Sequence, residues 1–192
     1  MSDKKELPDE CYHSIADGNF SMHDNGVLVF HQMTLFKLGV PSPVTGRTYV
    51  ASEDAIKALC DWGEKTVKYP MYGEWRHPQR APEQSPTEYA ERIHLIEDEK
   101  MCVGYSGVCL VDNATLMGNV RIQPGPVQDA ILAGVKFRLA ARTITQGPRP
   151  NDDPDRRFII RFITLDVYLQ TDDDEAYETQ FPASDLPSLP NN

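Results

Sequence analysis

The stretch "AGVKFRLAART", residues 133–143, governs how this chain is read. Gly134 stops a helix whose first position suits Pro126, in "PGPVQDAILAG" (124–134). A strand opens directly behind it. Successive strand side chains alternate, so Val135, Phe137, Leu139 and Ala141 share one side, and Lys136, Arg138, Ala140 and Arg142 the other. Three members of the second row are cationic and the fourth is a bare methyl. A polar loop, "TQGPRPNDDPDR" (145–156), leads from here into "RFIIRFITLDVYLQ" (157–170), the longest strand pattern in the chain.

Working toward the N-terminus, "ERIHLIEDEKMCVGYSGVCLVDN" (91–113) reads as two strands meeting at the charged turn "EDEK". "KYPMYGEWRHPQRAPEQSP" (68–86) is a short extended piece entering a proline-rich loop. Ser52 can cap a helix with Glu53 and Asp54 in its positive first turn, Ile56, Leu59 and Cys60 as its apolar stripe and Gly63 as its stop. "LGVPSPVTGRTYV" (38–50) is a loop, and "GVLVFHQMTLF" (26–36) is a strand rich in β-branched and aromatic residues. The sum is about six strands and two helices. The expected fold is α+β, built on a mainly antiparallel, barrel-like sheet with flanking helices. Residues 1–25 are expected to form a polar arm, 26–170 the domain, and 171–192 an acidic, disordered tail.

Composition narrows the function. The 192 residues suffice for one good core, and an apolar fraction of 40% suits a globular chain. A formal charge of −10 argues against a general nucleic-acid binder, which needs clustered Lys and Arg. No segment approaches the ~20 apolar residues of a membrane helix, and the polar "MSDKKELPDE" lacks a signal-peptide core. Cys11, Cys60, Cys102 and Cys109 are too few and too scattered for a disulfide framework and match no common zinc spacing. Reduced thiols in a cytosolic setting, with no metal and no cofactor, are expected.

Two residues look out of place. His77 in "YGEWRHPQ" is held extended by Pro78, so its ring projects at the end of a strand. Read alone, it is first of all a surface loop histidine. Asp166 lies inside an apolar strand, where an unpaired carboxylate costs several kcal/mol or takes up a proton. It therefore needs a cation, a hydroxyl or a histidine beside it. A structural ion pair with Arg161 or Arg138 would serve as well as a catalytic role. Histidine and buried carboxylate are two parts of a nucleophilic triad whose third part is a serine.

Over residues 44–143 the chain resembles the prohead (capsid maturation) proteases of tailed bacteriophages, the T4 prohead core protease type, related in fold to the herpesvirus assemblins. The family's Gly-Glu-x-x-His-Pro motif is "GEWRHP" (73–78), and its Ile-Glu-Asp strand pair with a small-residue turn is "IEDEKMCVGYSGVCLV" (96–111). Its helix ending in Ala-Gly and its strand closing with Ser-Ser-Arg-Gly correspond to "AILAGVKFRLAART". The resemblance implies a serine endopeptidase in which His77 is the general base and position 140 the nucleophile. Arg142 and Ala141 would lie at the oxyanion side or rim. The third member is Asp166 or Glu74. An extended segment points residues i and i+3 to opposite faces, which favours Asp166 and leaves Glu74 in support.

The departures fall on the nucleophile. Ala140 and Ala141 stand for the two serines and Thr143 for the glycine, so the polypeptide as written has no hydroxyl at the nucleophile position to attack a peptide bond. Either a serine at 140 was replaced by alanine to stop self-digestion, or the protein is a naturally inactive relative retained in the prohead core. Retention of His77, Asp166 and Arg142 favours replacement. The implied partners are scaffold, capsid and other prohead proteins, cut inside the prohead in the host cytoplasm, with self-cleavage and self-association as further expectations. No nucleic acid or membrane is implied.

Overall fold

A computed structural model describes residues 11–148 and 150–171. The expected disordered tail, apart from Thr171, and the first ten residues of the expected arm lie outside them. The strands are β1 (Phe20–Met22), β2 (Leu28–Lys37), β3 (Thr48–Tyr49), β4 (Met71–Glu74), β5 (Met101–Val111), β6 (Thr115–Ile122), β7 (Phe137–Gln146) and β8 (Arg156–Leu169). The helices are α1 (Glu53–Lys68), α2 (Pro86–His94) and α3 (Pro126–Leu132). Two sheets result, one ordered β1-β2-β6-β5-β4 and one ordered β3-β8-β7. Every strand pair is antiparallel except β3 with β8. The fold is α+β as expected, but among the described residues the strands close no barrel.

The first sheet supplies Leu28, Phe30, Val103, Val120 and Ile122 to the core, and the second supplies Phe137, Leu165 and Val167. Each such side chain, fully buried, contributes roughly 1.5–3 kcal/mol. Helix α1 lies over β5 and β8 and inserts Leu59 and Trp62, the indole meeting Phe162 edge-on at 5.1 Å.

Local chemistry explains where the elements depart from expectation. Ser52 does cap α1, its Oγ accepting the Ala55 N–H. The helix then runs through Gly63 to Lys68. It stops before Pro70, which disfavours helical geometry in the residue preceding it. Gly63 is a packing residue instead: a Cβ there would sit 3.1 Å from the Val108 carbonyl oxygen of β5. The buried stripe is accordingly Ala55, Leu59, Trp62, Gly63 and Thr66, and Cys60 is exposed. The first of the two strands expected over 91–113 is the end of α2. Its signal is "SPTE", in which Ser85 and Glu88 form a reciprocal capping box and Pro86 takes the first helical position. "EDEK" closes as a short 3₁₀ turn over Asp98–Lys100 before β5.

The arm is tied to the sheets. Phe20–Met22 pairs with β2, and His13 exchanges two backbone hydrogen bonds with Phe137, 2.6 and 2.9 Å.

The two sheets meet where β4 crosses β8, and a glycine makes that crossing possible. A Cβ on Gly73 would lie 1.8 Å from the Leu165 carbonyl oxygen, which is backbone and cannot rotate away. The Thr164 hydroxyl donates to the Tyr72 carbonyl at 2.6 Å, and the Tyr105 hydroxyl to the Leu165 carbonyl at 2.9 Å. Gly73→Ala is therefore expected to cost at least the ~1–3 kcal/mol typical of overpacking. Equilibrium denaturation reads this directly. A midpoint unchanged from the parent would show that the crossing is looser than described.

Candidate active site

The candidate side chains come from the segment after β4 (His77), from β7 (Ala140 and Arg142) and from β8 (Asp166). Strand β4 ends at Glu74, but the chain continues along β8: Trp75 bridges Val167, and the Arg76 N–H donates to the Val167 carbonyl at 2.9 Å. Arg76 takes φ +67, the left-handed conformation costly for a residue with a Cβ. That turn brings His77 back over β8. The imidazole Nδ1 lies 2.6 Å from Asp166 Oδ2, which is the charge-assisted pairing expected of a histidine fixed by a carboxylate. His77 also lines a cavity of about 300 Å³.

Asp166 is fully buried, and every oxygen is satisfied. Oδ1 accepts the Glu74 N–H at 2.8 Å and the Arg142 Nη2–H at 2.7 Å, and Oδ2 accepts the Arg142 Nε–H at 2.7 Å as well as the histidine. Burial alone would raise this carboxyl, but the hydrogen bond and charge of His77 and the Arg142 guanidinium outweigh it. The net displacement is below the usual carboxylate value. Asp166 is thus an anion in the folded protein.

Ala140 is the register partner of Asp166 across β7 and β8, so the methyl and the carboxylate share a face. Ala140, His77 and Arg138 all line the cavity. Ala141 also borders it, but pairs with Leu165 and packs against the hydrophobic core. One placement differs from that implied by the motif. Arg142 is not on the rim: it is 2% exposed, forks onto Asp166, reaches Glu74 Oε2 at 3.1 Å and donates to the Leu95 carbonyl at 3.0 Å. Burial disfavours its charge, but Asp166 and Glu74 raise its pKa on balance. The cation beside Asp166 is therefore Arg142 rather than Arg161 or Arg138.

Glu74 does not touch His77. Fully buried, it accepts both Nη groups of Arg92 at 3.2 and 2.9 Å and the Glu97 N–H at 2.6 Å. It balances the guanidinium that holds Asp166, so the glutamate of "GEWRHP" acts one shell away from the histidine. Arg92, missed in the sequence because it falls in the unanticipated α2, completes this network.

Cys102 is no alternative nucleophile. Burial, with Asp166 and Glu74 adding to it, pushes its thiol up to about 12. Among the described residues no cluster of His, Cys, Asp and Glu could hold a metal ion, and no helix is long and apolar enough to cross a membrane.

A buried aspartate thus holds a histidine beside a cleft on a two-sheet α+β frame. The Peptidase S80 family matches residues 40–127, a span that contains "GEWRHP". The fold is similar to that of the capsid assembly protease of bacteriophage T4, with a TM-score of 0.50 at 16% identity over 77% of this chain and 86% of that one. The resemblance to prohead proteases thus rests on both sequence and fold. No curated protein sequence matches the chain.

Proposed function

We propose that this chain is a prohead maturation serine endopeptidase in an inactive form, with alanine in place of the nucleophilic serine. The observation that carries this reading is the 2.6 Å contact between His77 and Asp166, directly across the strand pair from Ala140. Asp166 fixes the imidazole as the Nδ1–H tautomer and leaves Nε2 as the base facing the cavity. With serine at 140, Oγ would bond to the scissile carbonyl carbon while its proton passes to Nε2. Collapse of the tetrahedral species breaks the C–N bond, and His77 returns the proton to the leaving amine. Water, deprotonated by the same nitrogen, then releases the acyl group. The substrates are scaffold, capsid and other prohead proteins, met inside the prohead in the host cytoplasm, and the protein's own termini.

The donor role assigned to Arg142 on the motif alone is better filled by a group that faces the cavity. Arg138, two residues before Ala140 and on the same face, lines it. The second reading, a naturally inactive structural protein of the prohead core, rests on Ala140 itself. Incubating the Ala140→Ser protein with a prohead scaffold protein and following cleavage on a gel separates the two. Cleavage supports the enzyme, and an inert, folded protein supports the structural relative.

A further inference from the structure

His77 stands on a segment where strand pairing has run out. Its backbone N–H, with no ladder partner, donates to the Tyr168 hydroxyl at 2.9 Å. The two rings meet edge to face, 5.5 Å between centroids at 85°. Tyr168 is itself buried, and the Arg138 guanidinium lies 4.3 Å over its ring. Arg138 and Tyr168 are register partners across β7 and β8, so this stack is built into the strand pairing. Asp166 and Tyr168 are two residues apart on β8 and share a face. One strand therefore grips the histidine twice, at its ring nitrogen and at its main chain.

We propose that Tyr168 is a positioning residue for His77, fixing the loop backbone through its hydroxyl and the imidazole plane through its ring, with Arg138 bracing the tyrosine. This rests on the protease reading for its purpose, but not for its detection. Asp166 alone leaves the imidazole free to pivot about the Nδ1 contact. The tyrosine removes that freedom and keeps Nε2 aimed at position 140. A displacement of about 1 Å at such a centre typically costs about 100-fold in rate.

The decisive measurement uses the chain as it stands, with Ala140. The proton between His77 Nδ1 and Asp166 is read by NMR as a downfield imidazole signal, assigned by its loss in His77→Ala. Tyr168→Phe keeps the ring and removes only the oxygen, so it should fold. The signal is expected to exchange with water at least about 10-fold faster, with the midpoint of global unfolding little changed. Tyr168→Leu removes ring and hydroxyl together and should abolish the signal.

In the Ala140→Ser background, Tyr168→Phe should lower kcat by about 10-fold and Tyr168→Leu by about 100-fold, with KM within about twofold. An unaltered signal in folded Tyr168→Phe, or a fall in unfolding midpoint with the signal intact, overturns the proposal and leaves Tyr168 a core residue. If Ala140→Ser is inert, the protease reading fails, and the NMR result still decides whether Tyr168 positions His77.

Discussion

Ala140→Ser is expected to turn this chain into an active endopeptidase, with a gain in turnover of ~10⁶-fold, about 8 kcal/mol of transition-state stabilisation. The size follows from what is already in place. Removing a serine nucleophile from an intact triad costs roughly this factor, and on the proposed reading His77, paired with Asp166 beside the cavity, and Asp166 itself would serve as base and orienting carboxylate. The control is the next residue. Ala141→Ser places a hydroxyl on the opposite face of β7, against Leu165 and the core, where it can reach no imidazole. It should yield no activity and some loss of stability. Adding His77→Ala to Ala140→Ser should remove the gain. Adding Asp166→Asn should cost ~10⁴-fold by freeing the imidazole tautomer. A folded Ala140→Ser protein that leaves scaffold and capsid proteins uncut would make alanine the native residue of a structural relative.

The resemblance carried two of the three positions, His77 through "GEWRHP" and position 140 through the small-small-Arg strand, whereas the residues themselves showed the lone carboxylate in "FITLDVYL" and, by strand alternation, the cationic face that Ala140 shares. Distances between strands are not written in either pattern. Arg142 lies on the cationic side as expected, yet nothing in the sequence says that β4 crosses close enough to bury it. That closeness depends on Gly73 meeting the Leu165 backbone, a tertiary contact between residues 92 positions apart. Gly63 misled for a related reason: a glycine that admits a neighbouring strand and one that ends a helix look alike in sequence. Helix α2 was legible in the Ser85–Glu88 capping box, and with it Arg92 would have entered the site. Tyr168 reads as one more buried aromatic, since a hydrogen bond from a loop N–H to a side chain leaves no periodic trace.

Arg142→Met should destabilise the fold by about 3–5 kcal/mol at neutral pH, the range found when one partner of a buried ion pair is removed. Methionine fills much of the space, so the loss is chiefly electrostatic. Glu74 keeps Arg92, but Asp166 keeps only the histidine and one backbone N–H for a fully buried charge. The pH dependence identifies the cause. In the parent, the Asp166 pKa is depressed on folding, so its contribution is present above the ordinary value of 3.8 and lost as pH falls through the lower folded value. In the variant a cause of that depression is gone while burial, which raises the pKa, remains. The folded carboxyl then rises, and the folded state gains by binding a proton. The gap between parent and variant is therefore widest at neutral pH and narrows as the solution is acidified toward pH ~4. Denaturant midpoints at several pH values measure it. A gap independent of pH would assign the loss to the Leu95 carbonyl bond and packing instead. A double-mutant cycle with Asp166→Asn should then recover nothing, whereas the ionic account requires the second substitution to restore part of the stability lost in the first.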